Sequence, residues 1–128
     1  MAARFRLLLA LAVAALVGAL PATAAPDATI VTLAVNSDAF VITLTSAGKK
    51  VTKLKPGTYT FKLVDKSGIH NVRLLRGTKT VKDTKGKDVL TPVGAKVTKS
   101  VTVKLTKGKN TFVCDPHKTS MKGAFTVG

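Results

Sequence analysis

The stretch TYTFKLV, residues 58–64, sets Tyr59, Phe61 and Leu63 at alternate positions, with Thr58, Thr60 and Lys62 between them. Successive side chains of a strand point to opposite faces, so this segment has one apolar side and one polar side. Reading outward, TIVTLAVN (29–36) alternates through Val31, Leu33 and Val35, and AFVITLT (39–45) through Phe40, Ile42 and Leu44. SVTVKLT (100–106) does the same with Val101, Val103 and Leu105. The turn signals SAGKK, KPGT, KSG and KGKN separate these runs. Beyond the N-terminal stretch, no segment carries an apolar helical stripe longer than two turns. About seven to eight short strands, each with one buried face, predict an all-β protein, a β-sandwich or barrel. The irregular segment RGTKTVKDTKGKDVLTPVGAK (76–96) reads as a crossover loop with a short strand near Asp88–Thr91. Such a connection suits a Greek key better than a simple meander.

The N-terminus reads differently. MAARFR is basic, LLLALAVAALVGAL is apolar but shorter than a membrane span, and Ala22 and Ala24 stand in A-x-A positions. A signal peptide over residues 1–24, cleaved after Ala24, leaves one domain over residues 25–128 with no integral membrane span. The chain is therefore expected to be exported, to the periplasm or extracellular space of a bacterium. Removing Arg4 and Arg6 takes the basic side chains from 21 to 19 against six acids, all aspartates, a formal charge of +13. Lysines alternating with threonine and valine, as in AKVTKSVTVKLTK, suit solvated strand faces and guarded edges. A functional surplus of positive charge favours acidic partners through long-range steering. Export, few aromatics and no binding motif argue against nucleic acid.

Two eight-residue pieces, LKPGTYTF (54–61) and LTKGKNTF (105–112), share L-x-x-G-x-x-T-F and suggest two equivalent strand–turn–strand units. The first leads towards His70 and the second into Cys114. Between residues 25 and 128 the nitrogen and sulfur ligands are His70, Cys114, His117 and Met121 and no others. A lone thiol in an oxidising compartment is a liability unless buried or bonded. Phe112 and Cys114 share a strand face, and His70 shares one with Val72 and Leu74, so the cysteine and the first histidine are expected inside. Two imidazoles, one thiolate and a weak thioether form the ligand set of a blue-copper centre. Zinc would call for a fourth Cys, His or carboxylate. A Cys–His catalytic pair would need an exposed thiolate and a third group to orient the histidine.

HNV (70–72) together with TFVCDPHKTSMKGAFTVG (111–128) resembles the cupredoxins, the type 1 copper proteins of the plastocyanin, pseudoazurin and amicyanin kind. PGTYTFKLVDKSGIHNVRL (56–74) resembles their first-histidine region. The resemblance implies a cupredoxin-like fold holding one type 1 copper per chain. His70, Cys114 and His117 would be the strong ligands and Met121 the long axial one. It also implies a backbone N–H of Asn71 directed at the cysteine sulfur, a loop stiffened by Pro116, a turn at Gly123, and electrons passing through the solvent-facing edge of His117. The spacing C-x₂-H-x₃-M matches none of plastocyanins, amicyanins or azurins, so it leaves the subfamily open.

These implications amount to a soluble one-electron carrier, cycling between Cu(II) and Cu(I), that serves redox partner proteins and acts as a monomer. A copper-binding or delivery protein of the cell envelope is the alternative, although the Met- or His-rich tracts usual for delivery are missing. A sandwich with a vestigial site is a third reading. An enzyme is not expected, because four protein ligands leave no open position for substrate.

Overall fold

The computed structural model describes residues 28–36 and 39–128. The expected leader, residues 1–24, lies outside them. Among the described residues there are ten strands: β1 (Thr29–Asn36), β2 (Val41–Ser46), β3 (Lys49–Lys50), β4 (Lys53–Leu54), β5 (Gly57–Asp65), β6 (Arg73–Arg76), β7 (Lys79–Thr80), β8 (Val97–Leu105), β9 (Gly108–Val113) and β10 (Lys122–Val127). A single 3₁₀ turn spans Asp115–His117. The count exceeds the expected seven to eight because of the two-residue ladders β3, β4 and β7, too short to show alternation. No helix among the described residues is long and apolar enough to cross a membrane.

The strands form two mixed five-stranded sheets, ordered β3-β2-β1-β5-β8 and β4-β10-β9-β6-β7. β1 runs antiparallel to β2 and parallel to β5, which in turn runs antiparallel to β8. In the second sheet β9 lies antiparallel to both β6 and β10. Ala47 and Gly48, with φ of 48° and 75°, turn β2 into β3 with the positive dihedrals that a tight hairpin uses.

Alternation does the packing. Tyr59, Phe61 and Leu63 of β5 are buried, while Thr58 and Lys62 are exposed. Phe61 of the first sheet meets Phe125 of the second with ring centroids 6.5 Å apart. Each such buried side chain contributes about 1.5–3 kcal/mol, and together they form one core between the sheets. Segment 76–96 is more structured than a loop. It carries β7 and the bridges Lys82↔Asp88 and Arg73↔Leu90, with Val89 and Thr91 fully buried.

Phe40 departs from the alternation. Its place in the AFVITLT pattern predicts a core side chain beside Ile42 and Leu44, yet it precedes β2 in a turn, has φ of 48° and is 47% exposed. The strand begins one residue too late to include it.

Candidate metal centre

The register brings the ligand-bearing segments together. In the second sheet Val113, the last residue of β9, pairs with Arg73 on one side and Lys122 on the other. The residues just beyond these three positions leave the sandwich at one end: His70 ahead of β6, Cys114 after β9 and Met121 ahead of β10. Three strands in register thus place three parts of the chain at one site.

There His70 Nδ1 and His117 Nδ1 lie 3.0 Å apart, and Cys114 Sγ lies 3.6 Å from each. A point equidistant from three atoms so spaced is about 2.0 Å from each, close to the length of a metal–imidazole bond. His70, Cys114 and Met121 are fully buried, and His117 is partly exposed. The donors suit copper: a thiolate and two neutral imidazoles serve both of its common oxidation states. His70, Cys114, His117 and Met121 are arranged like a type 1 copper site.

The loop carrying three of these residues is bonded to itself. Cys114 N–H donates to the Met121 carbonyl (2.9 Å), and Met121 N–H donates to the His117 carbonyl (2.8 Å). His117 N–H donates back to the Cys114 carbonyl (3.0 Å). Pro116 lies exposed in the 3₁₀ turn, where its fixed φ stiffens the link between Cys114 and His117.

His70 is held by longer-range bonds. Buried Asp65 accepts from Ser67 N–H (3.0 Å) and from the Thr91 hydroxyl (3.1 Å). Ser67 Oγ accepts from His70 N–H (3.1 Å), and Thr91 Oγ1 accepts from Val72 N–H (2.9 Å). Buried polar groups are costly unless paired, and here the pairing fixes the backbone on either side of His70.

Asn71 joins the two arrangements through its side chain. Its Oδ1 accepts from Asp115 N–H (2.6 Å), and its Nδ2 donates to Asp115 Oδ2 (2.7 Å) and to the Thr91 carbonyl (3.3 Å). Arg73 Nε also donates to Asp115 Oδ2, at 2.8 Å. Asp65, Ser67, Thr91, Arg73 and Asp115 were not among the expected site residues. One signal was present: Asp65 continues the inward parity of Tyr59, Phe61 and Leu63, and a carboxylate on a core-facing position demands partners.

Against known proteins, residues 44–128 match the family model of copper-binding proteins of the plastocyanin/azurin family. Comparison with curated protein sequences gives no match. Among solved structures, reduced rusticyanin is 17% identical, with 77% of this chain and 78% of that one covered at a TM-score of 0.52. Reduced auracyanin from Roseiflexus castenholzii is 20% identical, with 79% and 98% covered at a TM-score of 0.50. A laccase from Pediococcus acidilactici is 14% identical, with 87% of this chain but 29% of the laccase covered at a TM-score of 0.52. At these identities the likeness is one of fold. The family match spans most of the chain, and the chain belongs to the plastocyanin/azurin family of copper-binding proteins: it is a cupredoxin.

Proposed function

We propose that this cupredoxin is an exported, soluble one-electron carrier, with His70, Cys114 and His117 as the strong copper ligands and Met121 as the axial one. The convergence of two imidazole Nδ1 atoms on a buried cysteine sulfur carries the reading. Bound copper supplies a one-electron couple between Cu(II) and Cu(I). The protein's part is to hold the donors in one arrangement for both states. Asp65, Ser67 and Thr91 do so for the His70 segment, and the loop's own backbone bonds do so for Cys114 and His117. His117 is the ligand that reaches the surface, so its outer edge is the way in and out for the electron. A donor set complete within the protein favours a carrier over an enzyme.

The surface favours an acidic redox partner. Among the described residues only Arg73 and Lys82 form ion pairs, with Asp115 and Asp88. Lys118 and Lys122 stand exposed just after His117 in the chain. Such a surface steers a negatively charged protein towards the site, an attraction that added salt weakens. We read the mature, monomeric protein as residues 25–128, following export and cleavage after Ala24.

The test is a visible spectrum of the exported protein, its mature mass checked, during titration with Cu(II). The expected result is an intense thiolate-to-copper band that saturates at one equivalent, bleaches with reductant and is lost in Cys114→Ser. In Met121→Leu the band persists but shifts. Weak colour, or copper bound equally well without the thiol, would sink the carrier reading.

A further inference from the structure

Phe40 occupies an unfavourable position for a phenylalanine. A φ of 48° is strained for a bulky side chain and costs glycine nothing. The ring is also 47% exposed, so it gains only part of the burial that would offset the strain. Backbone outliers of this kind persist where the surroundings hold them and cluster at functional sites.

The surroundings here are the two histidines. The Phe40 ring stands edge-to-face against His70, with centroids 4.9 Å apart and planes at 77°, and against His117, at 5.2 Å and 89°. The histidines make the same kind of contact with each other, at 4.7 Å and 75°, so the three rings form one mutually perpendicular cluster. Offset and edge-to-face contacts are the favourable geometries for aromatic rings.

His70 shows why such a contact is needed. Metal-binding histidines almost always have the second ring nitrogen fixed by a hydrogen bond, which sets the orientation of the ring. In this chain His70 Nε2 is buried and has no hydrogen-bond partner among the described residues. Its backbone is fixed by Ser67 and its Nδ1 faces the other donors, but on the Nε2 side packing alone must hold the imidazole. His117 is partly exposed, and the ring at its side is Phe40.

We propose that Phe40 is a positioning residue that closes the metal pocket, holding both imidazoles with Nδ1 inward and controlling how fast copper enters and leaves. The proposal rests on the copper reading of the site. The Phe40 ring packs against His117 and so restrains its movement away from the site, and His70 loses one of its two ring contacts if that ring is removed. The strained turn is retained for this contact and not for the stability of the fold.

The test compares Phe40→Gly, Phe40→Ala and Phe40→Tyr with wild type in the mature protein. Three quantities are read: loss of the visible band from the Cu(II) form in excess EDTA, uptake of Cu(II) by the metal-free form, and the thermal midpoint of the metal-free form. Phe40→Gly and Phe40→Ala should lose copper about tenfold faster or more, the scale on which supporting residues around a metal act. Phe40→Tyr, which keeps the ring, should stay close to wild type. The metal-free Phe40→Gly protein should melt no lower than wild type, because glycine relieves the turn. Unchanged copper loss and uptake in Phe40→Gly and Phe40→Ala would overturn the proposal. So would a metal-free Phe40→Gly protein that melts well below wild type, which would make the ring ordinary packing. Failure of wild type itself to bind copper would instead overturn the reading of the site on which the proposal stands.

Discussion

His70 and His117 enter the same site from segments built in different ways. The His70 segment is tied across the sandwich, with Asp65 and Thr91, 26 residues apart, bonded side chain to side chain and to the backbone beside the histidine. The segment from Cys114 to Met121 closes on its own backbone carbonyls in a small ring, tied to its surroundings through Asp115. Bonds of the first kind exist only once distant strands have met, so they are part of the fold's stability. Bonds of the second kind are local, and altering them should disturb the site while leaving the sandwich standing. Single substitutions test where that division holds.

The largest effect is expected where the ring meets the sheet. Gly123 pairs with Phe112 across β10 and β9, and a β-carbon there would lie under 3.0 Å from the Phe112 ring. Phe112 is 4% exposed, so its ring can yield only by displacing the core packed around it. Gly123→Ala should destabilise the metal-free protein by about 3 kcal/mol, the upper part of the range for overpacking, as read from its urea midpoint. The local character of the loop therefore ends at Gly123. A wild-type midpoint would mean that Phe112 yields easily and that this end of the core is loosely packed.

The next effect probes the long-range half. Thr91→Val keeps the shape but removes the hydroxyl, leaving the Val72 N–H and an Asp65 carboxylate oxygen buried without a partner. Orphaned groups of this kind cost about 1–3 kcal/mol each, so a loss of about 2 kcal/mol or more is expected. It should appear in the metal-free protein, because the network belongs to the fold. A loss confined to the copper form would show that the network is a local scaffold after all.

Legibility in the sequence follows the same division. β1, β5 and β8 could be read because each is a run of alternation long enough to outvote its ends. The donor cluster could be read because the domain offers no other soft ligands than His70, Cys114, His117 and Met121. What the sequence leaves unmarked is polar and long-range. Ser67 and Thr91 resemble any solvent-facing hydroxyl until the chain has folded, and Thr91 follows only the short apolar pair Val89–Leu90. Phe40 was misplaced for another reason. Alternation assigns a face to every residue in register with a strand but carries no mark of where the strand starts, and one turn residue with positive φ was enough to move the ring from the core to the copper end.

The smallest effect on stability is expected at the seam between the halves. Asn71 accepts from the backbone of Asp115 and donates to its carboxylate and to the Thr91 carbonyl, so its side chain is hydrogen-bonded into both arrangements. In Asn71→Ala the Asp115 carboxylate keeps its bond from Arg73 Nε and, with its side chain 20% exposed, can also draw on water. The Asp115 N–H and the Thr91 carbonyl also lose their partner, so the expected cost is about 1–2 kcal/mol. The site should respond more than the fold does, because the position of Cys114 relative to His70 would no longer be fixed across the seam. The thiolate-to-copper band of Asn71→Ala should shift or broaden more than that of Thr91→Val, in which Ser67 still holds the His70 N–H and Asn71 still holds the Asp115 N–H. If instead Asn71→Ala destabilised the metal-free protein as much as Thr91→Val does, the loop would be no separate unit, and the contrast between the two histidines would reduce to one of burial alone.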